Sequence, residues 1–198
     1  MITFVATKNL GKLDEMQAIF ATSAFELRPY EAYAEVLEGE RSYAENAELK
    51  AAALRAQLQA AGIHAAVLAD DSGLEVRALG GRPGVLSSRY AGSEAGWPAR
   101  RARLLAEMGE VPSARRGAKF VCAMVLLLAD GSASTGYGEV AGEIATAERG
   151  EGGFGFDPIF YYPPEGVTFA ELSPERKNAL SHRRRAAEAL LRALASRV

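Results

Sequence analysis

Two adjacent aspartates, Asp70 and Asp71, directly follow the apolar run 65-AAVLA-69, which is typical of a buried strand. Neighbouring carboxylates repel one another, and a buried carboxylate is costly unless a cation or hydrogen-bond donors compensate its charge. Two interpretations are open: a cation or hydrogen-bond network at the end of the strand, or a solvated Asp-Asp turn. Because Mg²⁺ takes few carboxylates and shares its shell with substrate phosphates, the residue types favour a magnesium-assisted phosphate site.

A second candidate is the loop 7-TKNLGK-12, which lies between a short apolar strand pattern and a helix pattern. Backbone N–H groups at a helix N-terminus favour anions, and Thr7, Asn9 and Lys12 add side-chain donors. The loop does not match the P-loop pattern, because Thr7 stands at the first glycine position and Leu13 at the hydroxyl position. Phosphate contact and an ordinary polar turn both remain open.

The glycine-rich segment 150-GEGGFGFDP-158 contains the glycine spacing of the dinucleotide fingerprint. That fingerprint needs a strand before it and a helix after it, whereas here Asp157, a proline and a strand pattern follow, so we reject it. The glycines could instead let a flat ligand approach the backbone while Phe154 or Phe156 stacks on it. A flexible connector is the alternative.

The segment 177-KNALSHR-183 places Lys177, His182 and Arg183 where they could line a pocket. The same residues are also typical of a solvated helix face. Zinc is not expected, because the chain has 2 histidines and 1 cysteine. Cys122 lies in an apolar strand pattern, which indicates a core thiol.

The composition, with 48% hydrophobic and 24% charged residues in 198, is typical of a globular protein. A net charge of −2 argues against a general nucleic-acid or membrane-surface binder, without excluding a local basic pocket. The N-terminal apolar run is too short for a secretory signal, and no segment reaches the length of a membrane span. We therefore expect a soluble, cytoplasmic protein.

Strand and helix patterns alternate along the chain, and turn signals separate them. Strands are predicted at 2–6, 25–29, 64–69, 118–129, 132–144 and 159–162, and helices at 12–21, 42–61, 97–108 and 174–196. Residues 73–79 either extend the third strand or return from it. The mixture predicts an α/β protein with a mixed sheet, and the absence of a linker predicts one domain over residues 1–198.

Taken together, the motifs make the chain resemble the inosine triphosphate pyrophosphatase family. The matching stretches are 7-TKNLGK-12, 45-ENAELKA-51, 69-ADDSGLEV-76, 79-LGGRPGVLSSRYAG-92, 152-GGFGFDPIF-160 and 177-KNALSHR-183. They follow the family's order over nearly the whole chain. The ADDSGLEV, GFGFDPIF and SHR blocks are jointly very specific, although none would suffice alone.

The resemblance implies an α/β, two-lobed mixed-sheet fold with a central nucleotide cleft, and a homodimer. It implies hydrolysis of ITP, dITP and XTP to the monophosphate and pyrophosphate with Mg²⁺, which cleanses the nucleotide pool. In the family's pattern Asp71 is the proton acceptor and a metal ligand, and Glu38 is a second metal ligand. The positions implied to bind substrate are Thr7, Lys8, Asn9, Leu10, Gly11, Lys12, Lys50, Ser72, Phe154, Gly155, Phe156, Asp157, Lys177, His182 and Arg183.

Two departures from the family's pattern are visible. Lys8 replaces a glycine that the family usually has in the first loop, so the loop could differ in shape or gain positive charge near the phosphates. Phe156 stands where the family often has tyrosine, so a hydroxyl contact is absent there. Neither departure bears on the reaction itself.

The mechanistic hypothesis is in-line attack of a water on the α-phosphorus, with Asp71 accepting or positioning the water's proton. Lys12 and Lys50 would stabilise the triphosphate charge, and hydrogen bonds would hold Asp70 in a supporting role.

Donors such as His182 and Arg183 could favour a 6-oxo purine over adenine. Two rivals remain open. A related class of pyrophosphatases acts on dTTP and UTP, and the SHR and GFGFDP blocks count against it. A nucleotide-binding sensor without turnover is the other, and the acidic set of Glu38 with Asp71 counts against that.

Overall fold

A seven-stranded sheet forms the framework of residues 1–196, the part of the chain that the computed structural model describes. Its strands are β1 (Ile2–Val5), β2 (Glu26–Pro29), β3 (Ala66–Val76), β4 (Gly117–Leu127), β5 (Ala133–Ile144), β6 (Phe160–Tyr162) and β7 (Val167–Thr168). They lie in the order β2-β1-β3-β4-β5-β6-β7. Because β1 pairs in parallel with β2 and β3 while β6 pairs antiparallel with β5 and β7, the predicted α/β class with a mixed sheet is confirmed.

Helices accompany this sheet, and side chains cap several of their N-termini. In the described residues they are α1 (Leu10–Phe20), α2 (Tyr43–Ala60), α3 (Trp97–Glu107), α4 (Pro174–Leu180) and α5 (His182–Ala195). Asn9, Ser42 and Ser181 accept hydrogen bonds from first-turn N–H groups of α1, α2 and α5. Across residues 1–196, no helix combines the length and apolarity that crossing a membrane requires.

The last helical segment of the chain is divided, so the prediction of one helix over 174–196 is wrong. The break falls at Ser181, whose hydroxyl accepts a hydrogen bond of 3.1 Å from the N–H of Arg184 and begins a new helix. Serine competes with the helical backbone for hydrogen bonds, which makes it a better cap than an interior residue. His182 and Arg183 consequently lie in the first turn of α5.

Strand β3 runs straight through the two aspartates. The sequence leaves open whether residues 73–79 extend this strand or return from it, and the structure shows that they extend it as far as Val76. Asp70 and Asp71 are only 1% and 5% exposed, so the interpretation of the pair as a solvated turn is wrong. Because successive side chains of a strand point to opposite faces of the sheet, the two carboxylates point away from each other.

Contacts divide the chain into two compact units. The first comprises residues 1–71, 122–138 and those from 181 on, and the second comprises Ser72–Val121 and Glu139–Leu180. Strands β3, β4 and β5 contribute residues to both units. The single domain and the central nucleotide cleft expected from the sequence stay predictions.

The first unit has an apolar core on each face of its sheet. One core packs β3 and β4 against α1 and α5, and it includes Met16, Leu68 and Leu190. The other packs the same strands against α2, and it includes Leu54 and Val67. Leu68 and Val67 are neighbours in β3 but belong to different cores, so Asp70 faces the α1–α5 side and Asp71 faces the α2 side.

Two glycines of β5 let α5 lie directly on the strand in the first unit. A Cβ atom at Gly136 or Gly138 would overlap the backbone of α5, at Gly138 the carbonyl oxygen of His182 and the N atom of Ala186. This backbone-to-backbone approach fixes the position of the first turn of α5, where His182 and Arg183 lie.

The second unit has a core of its own that is rich in aromatic rings. The rings of Phe120 and Phe160 have centroids 4.4 Å apart, and Phe169 packs against both. Helix α3 contributes Leu104, and Phe156 belongs to the same cluster. Such ring contacts stabilise a core beyond the area that they bury.

Candidate functional site

Asp70 is held by two cations on the α1–α5 side of the sheet in the first unit. Lys12 Nζ lies 3.2 Å from both carboxylate oxygens of Asp70, and Arg183 Nε donates to Asp70 Oδ2 over 3.1 Å. The Arg183 guanidinium also donates through Nη1 to Glu15. The prediction that hydrogen bonds hold Asp70 is confirmed.

The charges in this cluster decide the protonation of Asp70. Burial by itself would raise the pKa of Asp70, but the positive charges of Lys12, Arg183 and Lys50 outweigh it and hold the pKa well below the usual range. Asp70 is therefore ionised at neutral pH. The interpretation of Arg183 as part of a solvated face is wrong, since only 2% of Arg183 is exposed.

Asp71 has different partners on the α2 side. Asn46 Nδ2 donates to Asp71 Oδ2 over 2.9 Å, and Lys50 Nζ lies 3.3 Å from Asp71 Oδ1. The same ammonium donates to Glu38 Oε1 over 2.9 Å. Asn46 and Lys50 reach the same carboxylate because residues four apart share one face of a helix.

The electrostatics of Asp71 also differ from those of Asp70. Burial raises the pKa of Asp71 above that of an ordinary aspartate, against the lowering effect of Lys50 and Lys12. Burial by itself would lower the pKa of Lys50, but Asp71, Asp70 and Glu38 outweigh it and raise that pKa. Asp71 is therefore the more basic carboxylate of the pair, and Lys50 stays a cation.

Glu38 and Asp71 form a donor set that suits Mg²⁺. One carboxylate oxygen of each residue lies close to Lys50 Nζ, at 2.9 Å for Glu38 and 3.3 Å for Asp71. The two carboxylates therefore already share one positive charge. Mg²⁺ uses one or two protein carboxylates and completes its shell with water and substrate phosphates. Within residues 1–196, no three or more His, Cys, Asp or Glu side chains come together where they could hold a metal ion.

The first loop leads into α1 as the sequence predicts. Thr7 Oγ1 accepts a hydrogen bond of 3.1 Å from the N–H of Asn9, and Asn9 Oδ1 accepts one of 3.1 Å from the N–H of Lys12. Lys8 and Leu10 are exposed. Lys8 does not adopt a positive φ angle, so the lysine occupies the usual glycine position without backbone strain.

The predicted aromatic and basic residues of the second unit form another buried cluster. Asp157 accepts hydrogen bonds from the N–H of Phe154, over 2.8 Å, and from Lys177 Nζ. That ammonium also lies 4.4 Å from the centroid of the Phe154 ring. The cluster holds the Phe154 ring in one place, beside the positive-φ turn at Gly155.

Phe156 does not present its ring to a ligand in this structure. Its side chain is 2% exposed and packs edge to face against Trp97 and Tyr90, with centroids 5.4 and 6.5 Å away. The ring packs in the core of the second unit, and a contact of Phe156 with substrate stays a prediction. Phe154, which is half-buried, is the aromatic side chain of the segment that can stack.

The remaining predicted positions lie in or beside these elements. Ser72 follows Asp71 in β3 and is half-buried, while His182 opens α5 and is buried. Cys122 is a buried core thiol, as predicted, with its Sγ 3.9 Å from Asp70 Oδ2. Burial, then the charge of Asp70, raises the pKa of Cys122, so the thiol is protonated and unreactive.

The sequence prediction does not include Glu15 or Asn46, both of which are buried in these clusters. Glu15 lies four residues before Ile19, on the side of α1 that packs into the core. A charged residue on an apolar helix face is a signal that could identify it. For Asn46 the signal is its spacing of four residues from Lys50.

Comparison with known proteins agrees with these observations. A sequence model of the Ham1 family matches residues 3–193. A Geobacillus kaustophilus protein named dITP/XTP pyrophosphatase is 45% identical over 185 residues, which cover 92% of this chain and 88% of that protein. A Methylococcus capsulatus protein of the same name is 46% identical over 199 residues, which cover 96% of each.

Solved structures give the same result. The structure of a HAM1 protein from Coxiella burnetii superposes with a TM-score of 0.84 at 36% identity, over 99% of both chains. The fold and the candidate site define an α/β protein in which strand β3 presents Asp70 to two cations on one face and Asp71 to an ammonium and an amide on the other. The chain belongs to the Ham1 family. The family resemblance that the sequence motifs predict is thereby confirmed.

The Arg183 cluster leads to a prediction about stability. Replacing Arg183 with Met leaves the buried carboxylates of Asp70 and Glu15 without their shared cation. We expect the free energy of unfolding to fall by about 3–5 kcal/mol, as when one partner of a buried ion pair is removed. Urea denaturation followed by circular dichroism measures this free energy of unfolding.

Arg192→Met, at an exposed position of the same helix, is the control, with an expected change in the free energy of unfolding within about 0.5 kcal/mol. A loss below 1 kcal/mol for Arg183→Met, relative to roughly 3 or more expected, would contradict the role of this cluster.

Proposed function

We propose that this chain is a hydrolase that converts ITP, dITP and XTP to the monophosphate and pyrophosphate, and so removes non-standard purine nucleotides from the pool. The observation that carries the proposal is the relationship itself. Proteins 45–46% identical over more than nine tenths of the chain bear the name dITP/XTP pyrophosphatase. The acidic and basic groups around β3 supply the chemistry that such a reaction needs.

Asp71 is the proposed proton acceptor for a water that attacks the α-phosphorus in line with the leaving pyrophosphate. Its raised pKa makes its carboxylate a stronger base than that of an exposed aspartate. Asn46 and Lys50 each bind one of its oxygens, which fixes the direction in which the carboxylate points. A base held in one orientation spends less entropy in reaching the reactive geometry.

Lys12 and Lys50 are the proposed cations for the triphosphate. An ammonium group has three N–H donors, and Lys12 directs its charge at the two oxygens of Asp70. Lys50 directs two contacts at Glu38 and Asp71. Each lysine therefore retains a donor for a phosphate oxygen, while the carboxylates fix where the ammonium lies.

Glu38 and Asp71 are the proposed ligands of Mg²⁺. When bound, the metal neutralises phosphate charge and orients the leaving group. Glu38 and Asp71 would hold the metal through hard carboxylate oxygens and would leave room for water and substrate phosphates, as Mg²⁺ prefers. The first loop, from Thr7 to Lys12, is proposed to bind phosphate through the N–H groups at the start of α1.

Recognition of the base is proposed to use Phe154 for stacking, with Asp157 and Lys177 as polar groups. Arg183 already donates to Asp70 and Glu15, so we assign it to the support of Asp70 and keep His182 as the proposed donor to the 6-oxo group. Contacts of Ser72 with substrate and a homodimer, both implied by the family resemblance, complete the proposal, together with a cytoplasmic location.

Replacing Asp71 with Asn tests the proposed chemistry. The amide cannot accept the water's proton, so Mg²⁺-dependent release of pyrophosphate from dITP should fall by about 10²- to 10⁴-fold. Asp14→Asn, on the exposed side of α1, should retain wild-type turnover. Chelation with EDTA should abolish the wild-type reaction, and added Mg²⁺ should restore it. Near-wild-type turnover by a folded Asp71→Asn variant would rule out Asp71 as the base.

A substrate panel tests the proposed selectivity. Against purified protein and Mg²⁺, kcat/KM for ITP and dITP should exceed that for ATP by at least about 100-fold, because adenine leaves a buried donor unpaired. dTTP and UTP serve as pyrimidine controls. Equal values for ITP and ATP would contradict the role of the 6-oxo group, and faster hydrolysis of dTTP or UTP would favour the rival pyrimidine class.

A further inference from the structure

The side chain of Asn46 connects the two proposed metal ligands, because it contacts Asp71 and the residue that follows Glu38. Its Oδ1 accepts a hydrogen bond of 2.8 Å from the N–H of Gly39, and its Nδ2 donates to the Gly39 carbonyl oxygen over 3.3 Å. The same Nδ2 donates to Asp71 Oδ2 over 2.9 Å. Gly39 is the residue after Glu38, so one buried carboxamide contacts Asp71 directly and holds the backbone next to Glu38.

The segment that carries Glu38 has a second attachment to α2. The Gln57 carboxamide accepts a hydrogen bond from the N–H of Ala34 and donates to the Ala34 carbonyl oxygen, both over 2.8 Å. Tyr33 anchors the same end, because its ring lies in the apolar core beside α2. Two carboxamides of one helix therefore clamp an irregular segment at residues 34 and 39.

The two carboxamides hold opposite ends of the segment. Asn46 and Gln57 lie 11 residues apart, which is about three turns and about 16 Å along one face of α2. Glu38 is the neighbour of Gly39, which Asn46 holds, and lies four residues from Ala34, which Gln57 holds. The position of Glu38 therefore depends on the Asn46 attachment far more than on the Gln57 attachment.

We propose that Asn46 is a positioning residue that sets Glu38 relative to Asp71 for metal binding. This role rests on the proposed function only in that Glu38 and Asp71 are the metal ligands. Asn46 suits the role because one carboxamide offers an acceptor to the Gly39 N–H and a donor to the Asp71 carboxylate at once. An outer partner of this kind typically changes metal affinity by about 10- to 100-fold when it is removed.

Metal binding without nucleotide tests the proposal. Mn²⁺, which takes the same oxygen ligands as Mg²⁺, is titrated into metal-free protein, and the free ion is followed by electron paramagnetic resonance. Asn46→Ala should weaken Mn²⁺ binding by about 10- to 100-fold. Gln57→Ala, the matched control, also removes two segment-to-helix hydrogen bonds but does not touch Asp71. Its Mn²⁺ affinity should stay within about threefold of wild type, well below the change typical of a lost outer partner.

Thermal unfolding of the same metal-free proteins separates positioning from general stability. Asn46→Ala should lower Tm more than Gln57→Ala, because it removes three hydrogen bonds of a buried side chain rather than two exposed ones. Both variants should stay folded at the temperature of the titration, where their Mn²⁺ affinities should diverge. Asn46→Ser retains a shorter side chain with a single donor, which can serve the Gly39 carbonyl oxygen or Asp71 but not both. Its affinity should therefore be intermediate, and it decides the question if Asn46→Ala does not fold.

Equal weakening by Asn46→Ala and Gln57→Ala, or unchanged affinity in both Asn46 variants, would overturn the positioning role. A wild-type protein that binds no Mn²⁺ would overturn it as well. Because Mn²⁺ binding is read without nucleotide, a wild type that binds the ion but does not hydrolyse dITP would count against the proposed function alone.

Discussion

The alternation of side chains along β3 is the constraint on which the rest of the structure depends. Two neighbouring carboxylates in a buried strand would repel each other at close range, but the pleat turns Asp70 and Asp71 to opposite faces of the sheet. Each face then supplies its own compensation: Lys12 and Arg183 on the α1–α5 side, and Asn46 with Lys50 on the α2 side. The capped helices α1, α2 and α5 pack against the sheet of the first unit and so fix the positions of Lys12, Asn46, Lys50 and Arg183.

The two faces give the two aspartates different properties. Asp70 is surrounded by cations that outweigh its desolvation, so it is a permanent anion that holds Lys12 in place. Asp71 is paired with one shared ammonium and one neutral amide, so desolvation prevails and its carboxylate is the more basic. One strand thus carries a permanently ionised carboxylate on one face and a more basic carboxylate on the other. This combination suits a protein that binds phosphate and a metal ion.

Local patterns in the sequence predict most of this fold. Most predicted strands and the helices α1, α2 and α3 appear close to their expected positions, because each depends on residues close in the chain. The family motifs also identify Asp71, Glu38 and Lys50 as candidates. Long-range pairing is not visible locally, since Arg183 and its partner Asp70 are 113 residues apart. The same limit explains why the burial of the Phe156 ring in the core of the second unit is not predicted from sequence. The break at Ser181 is local, but the apolar pattern on both sides of it reads as one helix.

Asp70 and Asp71 are adjacent in the chain, yet their carboxylates differ in charge environment and in pKa. Carbon-13 NMR of metal-free protein labelled at the aspartate carboxyl carbons, titrated with acid, measures this directly. The structure predicts that Asp71 titrates above about 3.9, the value of an ordinary aspartate, while Asp70 stays ionised to far lower pH. Titration of both carboxylates near the ordinary value, or in the reverse order, would contradict the account.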